Sequence, residues 1–263
     1  MLAAPIITLT TDWGTSDFFV GMVKGRLISL VPEVRLVDIT HEIPRGDLVR
    51  TATIVRNACF GFPADTIHMI DVGSSGPYVL IRCRNQYFIC CDNGMPHAVF
   101  GGDCESMVLL EEPSHESQFL TFPAYSLFCQ VAGRLCSGEP MESLGKPFDA
   151  LIPLQTMGFM EVPDGLMAYV NYIDHYGNAD LSIRYEQFEQ VRRGRRFVLR
   201  VREYETSRFS RNYADVEVKD GKSQGMLLTV SASGYLQLAM PGKSASQYAG
   251  LRVLEQIRFS FVD

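Results

Sequence analysis

Four aspartates stand at the ends of predicted strands in the first part of the chain. Asp12, Asp38, Asp71 and Asp92 each follow a short run rich in apolar and β-branched residues. Ligands of α/β sheets bind beyond the carboxyl ends of the strands, so these carboxylates are candidates for a common site. A carboxylate there can bind ribose hydroxyls, hold a metal ion, act as a base or cap a helix. Asp12 is followed by Trp13-Gly14 rather than by a helix, and we favour a ligand-binding role for it.

Neighbouring residues have simpler interpretations. Asp17 and Asp47 are placed to be the N-caps of predicted helices. Trp13, the only tryptophan of the chain, is expected to pack rather than to recognise a ligand. The loop Asp71-Val-Gly-Ser-Ser-Gly-Pro has two glycines that allow close approach of an anion or a leaving group to its backbone N–H groups. This loop lacks the Walker and GxGxxG patterns, so an ordinary turn is an equal alternative.

A second candidate segment is Asp174-His-Tyr-Gly-Asn178, which follows a predicted strand. Tyr176 could stack on a base while Asn178 reads the polar edge of that base. His175 alone is more typical of a surface position. The arginines at positions 192, 193, 195 and 196 are interpreted as a solvated turn balanced by nearby glutamates, not as a nucleic-acid contact.

The elements that must position these residues fall into two parts. Residues 1–155 alternate strands with helices and predict an α/β domain with a largely parallel sheet. Its strands are expected at Pro5–Thr11, Val34–Ile39 and Thr66–Ile70, with a hairpin of Tyr78–Cys83 and Tyr87–Cys91, and its helices at 18–30, after Asp47 and at 124–136.

Residues 163–263 predict a smaller, mostly-β domain of barrel-like or sandwich form. Its strands are expected at Gly165–Ile173, Arg196–Tyr204, Tyr213–Val218, Met226–Val230, Tyr235–Met240 and Leu251–Phe261, with one helical stretch at Tyr185–Val191.

Composition narrows the class of protein. The chain has 263 residues, 46% of them apolar and 21% charged, with a net charge of −6. This acidity argues against nucleic-acid binding. The chain has no apolar run of about 18 residues, so we expect no membrane span. The N-terminus lacks the basic segment of a signal peptide. The seven cysteines show no zinc-site spacing, which favours reduced thiols in a cytoplasmic protein.

Several segments, in order along the chain, resemble the S-adenosyl-L-methionine hydroxide adenosyltransferases, relatives of the fluorinating and chlorinating enzymes. They are Ile7–Gly25, Val37–Pro44, Asp92-Asn-Gly94, Ile173–Asn178, and a tail of Ser231–Ala239 followed by Ser244–Ser246. The resemblance implies an α/β N-terminal domain, a β-barrel-like C-terminal domain, and a homotrimer with the nucleoside site between subunits. It also implies attack of hydroxide or halide at C5′ of the ribose with release of methionine. The cationic leaving group makes a metal or another cofactor unnecessary.

The resemblance assigns roles to individual residues of this chain. Asp12 would bind the ribose hydroxyls through charge-assisted hydrogen bonds. Asp17 and Asp174 would lie near the methionine ammonium group. The remaining substrate-binding candidates are Tyr176 and Asn178 at the adenine and Phe122 near C5′.

The departures from the family pattern concern the nucleophile. Asp71 matches the aspartate beside the attacking water, whereas Tyr78 stands where an arginine is usual and Pro123 where a histidine is usual. Ala124 replaces the serine of the halogenating members, and the tail has Ala232 where a serine is usual. The catalytic candidates are therefore Asp71 and Tyr78. Loss of positioned groups around a water can lower a rate by about 10² to 10⁴.

Three functions stay open on the sequence. The first is slow hydrolysis of S-adenosylmethionine, with Asp71 and Tyr78 organising the water. The second is binding of S-adenosylmethionine or adenosine without turnover. The third, independent of the resemblance, is a metal-dependent phosphoesterase with the four strand-end aspartates around Mg²⁺.

Overall fold

The computed structural model describes residues 4–74, 76–111, 121–216, 218–219, 222–223 and 225–262. The chain divides into two compact units, Met1–Gln155 and Thr156–Asp263. Within the described ranges, no helix is long and apolar enough to cross a membrane.

The first unit is a mixed sheet with helices on both faces. Its strands are β1 (Ile6–Thr11), β2 (Arg35–Thr40), β3 (Ile67–Asp71), β4 (Tyr78–Cys83), β5 (Gln86–Cys91), β6 (Ser106–Leu110) and β7 (Gly145–Pro147). Its helices are α1 (Phe19–Leu30), α2 (Leu48–Ala58), α3 (Met95–Phe100) and α4 (Cys129–Cys136), and a π-helical turn, Ala124–Phe128, leads directly into α4.

The expected parallel sheet is only partly correct. The strand order is β2-β1-β3-β5-β4-β6-β7. The pairs among β2, β1, β3 and β5 are parallel, whereas those among β5, β4, β6 and β7 are antiparallel. The predicted hairpin is confirmed and explains the antiparallel pairing of β4 with β5. Arg84 and Asn85 both have positive φ, at 51° and 58°, and such a two-residue turn joins only antiparallel strands.

Alternating apolar residues bury both faces of this sheet. Leu80 of β4 faces a core that α1 and α4 complete, and its neighbours Val79 and Ile81 face a second core that α2 and α3 complete. Burial of each such side chain stabilises the fold by about 1.5–3 kcal/mol. The two-sided core holds the strand ends, and therefore Asp12 and Asp71, on a rigid frame.

The helix starts give one confirmation and one correction. Asp47 is the N-cap of α2, and its carboxylate accepts a hydrogen bond from the Arg50 N–H at 3.0 Å. The same prediction for Asp17 is wrong, because Phe18 occupies the N-cap position of α1. Asp17 is the residue before this N-cap, and its carboxylate accepts from the Phe18 N–H at 2.7 Å.

The second unit is mostly β, as predicted. Its strands are β8 (Met160–Val162), β9 (Gly165–Ile173), β10 (Ala179–Arg184), β11 (Arg196–Val201), β12 (Tyr204–Thr206), β13 (Val218–Lys219), β14 (Lys222–Ser223), β15 (Leu227–Val230), β16 (Tyr235–Ala239) and β17 (Gln256–Val262). Its helices are α5 (Tyr185–Arg192) and α6 (Ala245–Ala249).

One antiparallel sheet of order β12-β11-β17-β9-β10-β16-β15 surrounds a single core, with β8 paired to β9. Ser210, shortly after β12 at one edge of the sheet, is hydrogen-bonded to β15 at the opposite edge. Its N–H donates to the Leu228 carbonyl at 2.7 Å, and its carbonyl accepts from the Thr229 hydroxyl at 2.9 Å. The sheet thus curls into a nearly closed, barrel-like form.

The strand predicted at Tyr213–Val218 is wrong over residues 213–216, which form a turn and the segment after it. The Asn212 side chain accepts from the Ala214 N–H at 2.9 Å. An asparagine that bonds its own following backbone favours a turn over a strand.

Candidate functional site

Parallel pairing brings two of the four candidate aspartates of the first unit together. Thr11 at the end of β1 lies opposite Asp71 at the end of β3. Asp12, the next residue, is near enough for its charge to raise the pKa of Asp71. The predicted meeting of these carboxylates at one sheet edge is therefore observed for Asp12 and Asp71.

Asp71 is a buried carboxylate held by two donors. It is 4% exposed. The Trp13 indole Nε1–H donates to Asp71 Oδ2 at 3.0 Å, and the Ser74 hydroxyl donates to Oδ1. Burial raises the pKa of Asp71, and these two hydrogen bonds act in the opposite direction by stabilising the charged form. A carboxylate with a fixed orientation and a raised pKa is suited to accept a proton.

Trp13 does more than the sequence interpretation assigned to it. The indole does pack, with ring centroids 5.0 Å from Phe122 and 6.1 Å from His41. It also supplies a hydrogen bond to Asp71, which the sequence interpretation missed. The position of a lone tryptophan two residues after a strand was the available signal, but its partner lies 58 residues further along the chain.

The loop after Asp71 is fixed by the Asp92-Asn93-Gly94 segment. The Asn93 Nδ2 group donates to the carbonyl oxygens of Val72 and Gly73, both at 2.9 Å. Gly73 has a φ of +59°, and Gly76, at +130°, lies so close to the Asp92 carbonyl that a Cβ would be 3.1 Å from its oxygen. The positive φ of the two glycines and the hydrogen bonds from Asn93 therefore fix the loop in a conformation in which Ser74 contacts Asp71. Ser75 lies outside the described residues.

An aromatic wall stands beside Asp71. We use this term for Trp13, Phe19 and Phe122. Phe122 lies edge-on to both partners, 5.0 Å from Trp13 and 5.1 Å from Phe19 between ring centroids. The exposed Asp17 lies between Trp13 and Phe19 on the chain. The predicted position of Phe122 near a reacting carbon is untested, but its contact with Trp13 places it near the buried carboxylate.

Three departures from the family pattern have local structural roles. Tyr78 begins β4, and its ring lies edge-on to Phe128 at 5.6 Å. Pro123 is buried at the start of the π-helical turn, where its fixed φ suits a helix start, and the next residue, Ala124, is fully buried. Participation of Tyr78 in catalysis stays a prediction.

The four candidate aspartates have separate partners, and the prediction that Asp38 ends its strand is wrong, because β2 continues to Thr40. Asp12 accepts from the Gly46 N–H at 2.9 Å, and Asp92 accepts from the Ile152 N–H at 3.1 Å. Asp38 contacts Lys24 Nζ at 2.6 Å and His41 Nε2 at 3.1 Å. In the part of the chain that the structure describes, no three His, Cys, Asp or Glu side chains converge as metal ligands. The Mg²⁺ hypothesis thus gains no support from this geometry.

In the second unit, Asp174 and Asn178 close a tight loop on each other. The backbone N–H and the side-chain Nδ2 of Asn178 donate to the two carboxylate oxygens of Asp174, each at 2.9 Å. Gly177 has a φ of +82°, and a Cβ there would collide with Ser244. The Gly177 carbonyl accepts from the Ser246 N–H at 2.8 Å, which joins the tail segment to this loop.

An open cleft lies beside this loop. The predicted residues Asp174, Tyr176 and Asn178 line it together with Tyr213, Met240, Pro241, Gly242, Lys243 and Ser244. Tyr176 is 77% exposed, so its ring is available to stack on a planar ligand, whereas Asn178 is buried. His175 is exposed, as expected. Sequence interpretation missed Tyr213, because it assigned that residue to a strand.

Other predictions concern the cysteines and the arginine cluster. All seven cysteines are free thiols, and five of them are buried. Arg192 pairs with Glu189 at 2.8 Å, and Arg195 donates to the carbonyls of Val191 and Arg192 at 3.2 and 3.1 Å. These contacts agree with the interpretation of the arginine cluster as a local turn.

The fold and these residues define a two-domain protein in which carboxylates lie beside aromatic rings in each unit. Sequence profiles of the SAM hydroxide adenosyltransferase N-terminal and C-terminal domains match residues 7–145 and 168–258. The chain belongs to this family.

Similar proteins agree with that assignment. An (R)-S-adenosyl-L-methionine hydrolase of Salinispora arenicola is 28% identical, and the match covers 98% of each chain. A fluorinase of Nocardia brasiliensis is 24% identical over 89% of this chain and 90% of its own. A crystal structure of an uncharacterized conserved protein from Thermotoga maritima superposes with a TM-score of 0.84 at 22% identity, covering 97% of this chain and 99% of that one.

Proposed function

We propose that this protein hydrolyses S-adenosyl-L-methionine to adenosine and L-methionine by attack of water at C5′ of the ribose. The observation that carries the proposal is the buried Asp71, held by Trp13 and Ser74 beside Asp12 and the aromatic wall. The hydrolase of Salinispora arenicola, matched over nearly the full chain, supports the same reaction.

The chemistry needs a water molecule that is oriented rather than strongly activated. Methionine is a neutral thioether leaving group once the sulfonium bond breaks, so the reaction requires no metal or other cofactor. Water attacks in line with the breaking C–S bond and loses one proton overall. Asp71 orients this water through a carboxylate lone pair and accepts the proton, helped by the burial that raises its pKa.

Two donors on Asp71 offset the departures at Tyr78 and Pro123. The usual arginine and histidine would fix the aspartate and the water. Here Trp13 Nε1 and the Ser74 hydroxyl fix the rotamer of Asp71. Tyr78 supplies a further contact to the water in this proposal. Fewer groups touch the nucleophile, so we expect a slow enzyme.

The substrate-binding part of the proposal follows the family resemblance. Asp12 binds the ribose hydroxyls, and Asp17 and Asp174 lie near the ammonium group. Tyr176 and Asn178 hold the adenine, and Phe122 lies near C5′. In this proposal the protein is a homotrimer whose nucleoside site lies between subunits. The free thiols of all seven cysteines support a cytoplasmic location.

Binding without turnover is the second candidate function. The observation in its favour is Pro123, which is buried and whose side chain can neither donate nor accept a hydrogen bond. Substrate recognition through Asp12 and the Asp174–Asn178 loop does not depend on that position.

Product analysis separates the two candidates. The purified protein is incubated with S-adenosylmethionine, and adenosine and methionine are measured by chromatography beside the variants Asp71→Asn and Asp12→Ala. Asp103→Asn, at an exposed loop carboxylate of the same unit, is the matched control. Hydrolysis by the wild type and the control, lost in both site variants, supports the enzyme. Calorimetric binding without product, abolished in Asp12→Ala, supports the binder.

A further inference from the structure

A chain of hydrogen bonds runs from the cleft of the second unit to a buried carboxylate. The Tyr213 hydroxyl, at the cleft, donates to Gln237 Oε1 at 2.8 Å, and Gln237 Nε2 donates to Asp180 Oδ1 at 2.8 Å. We call these three residues the relay. Asp180 and Gln237 lie opposite each other on β10 and β16 and are 6% and 4% exposed, whereas Tyr213 is 49% exposed.

The charge at the buried end fixes the direction of every bond in the relay. An ionised carboxylate only accepts hydrogen bonds, so Gln237 must turn its NH₂ group toward Asp180. The amide oxygen of Gln237 then faces Tyr213 and accepts the phenolic hydrogen. The Tyr213 oxygen therefore has only acceptor capacity left for a group in the cleft.

Asp180 is ionised at about pH 8 despite its burial. Burial raises the pKa of Asp180 to about 6, with the hydrogen bond from Gln237 acting against that rise. The negative charge of Asp174 adds to the rise, and a hydrogen bond from Ser231 reduces it. At about pH 8 the carboxyl is charged, and the relay has a single polarity.

A buried aspartate is poorly suited to stabilise the pairing of two strands, because desolvation of the carboxylate opposes folding. A relay that ends at the cleft gives this residue a ligand-directed role. The cleft also contains Tyr176, whose exposed ring is suited to stack on a base. A planar ligand in this cleft would bring its polar edge within reach of the lining hydroxyls.

We propose that Tyr213 determines the base specificity of the cleft by accepting a hydrogen bond from the exocyclic amino group of a purine. Gln237 and Asp180 are positioning residues that fix the polarity of the Tyr213 hydroxyl. This inference rests on the proposed function, since it requires that the cleft receives the nucleoside. A carbonyl at C6 of the purine would place two acceptors against each other, which disfavours binding.

The test compares three nucleosides by calorimetry at about pH 8. Adenosine carries the amino donor, purine riboside carries hydrogen at C6, and inosine carries a carbonyl. We expect the wild type to prefer adenosine about fivefold over purine riboside and about tenfold over inosine. Tyr213→Phe should bring the first ratio close to one. Asp180→Asn, at a buried position, should also bring the ratio of adenosine to purine riboside binding close to one, because the Gln237 amide can then adopt either orientation.

Tyr248→Phe, at an exposed tyrosine of α6, is the matched control and should keep both ratios. If Asp180→Asn does not fold, as judged by circular dichroism, Tyr213→Phe alone decides. Adenosine binding with unchanged ratios in the variants overturns the relay and leaves the proposed function standing. A wild type that binds no nucleoside and no S-adenosylmethionine overturns both.

Discussion

Replacement of Trp13 by phenylalanine tests the proposed base most directly. Trp13→Phe keeps an aromatic ring against Phe122 but removes the Nε1–H that lies 3.0 Å from Asp71 Oδ2. A hydrogen bond to a buried charged group stabilises the charged form by about 1.5–3 kcal/mol. Its loss therefore raises the pKa of Asp71 by about one to two units, since 1.36 kcal/mol corresponds to one unit.

The assay is the pH profile of kcat/KM for S-adenosylmethionine. The reaction needs ionised Asp71, so activity falls on the acidic side as pH drops through its pKa. A higher pKa of Asp71 moves this acidic limb to higher pH by about one to two pH units. At a pH well above the limb, the rate also falls because the carboxylate is less firmly oriented.

Two results distinguish this reasoning from a general loss of packing. Phe19→Leu alters the aromatic wall without removing a donor from Asp71, and it should leave the acidic limb in place. An acidic limb in Trp13→Phe that coincides with that of the wild type refutes the role of the indole. In that case the ionisation of another group controls the profile.

Further predictions concern stability. Burial lowers the pKa of His68 to about 4 from 6.5. Between these two pH values the imidazole is protonated in the unfolded chain but neutral in the native protein. The contribution is complete above about pH 6.5 and declines as pH falls toward 4, by up to about 3 kcal/mol, and His68→Asn should flatten this slope in urea unfolding. Gly177→Ala should cost about 1–3 kcal/mol in thermal unfolding, because the residue has a φ of +82° and its Cβ would meet Ser244, whereas Gly102→Ala, with open space around it, should be neutral. Asp47→Ala should cost about 1 kcal/mol through loss of the α2 cap, and an unchanged melting temperature would contradict this assignment.

Local patterns determined much of the fold. The run Ile6–Thr11 is a strand because its residues are apolar and β-branched, and the strand at Gly165–Ile173 was predicted with its observed bounds. Asp47 was identified as a cap, since that interaction spans only three residues. The meeting of Asp12 and Asp71 also followed from the sequence, because parallel strands place their carboxyl ends at one edge.

Only the tertiary structure decided the strand order and the partners of the site residues. The hairpin was predictable, but the antiparallel pairing of β6 and β7 beyond it was not, because register between distant strands depends on the whole core. Asp71 finds its indole donor 58 residues earlier, and Asp180 finds Gln237 57 residues later. No local period encodes such pairs: they exist because burial removes water and leaves each polar group to the neighbour that folding provides.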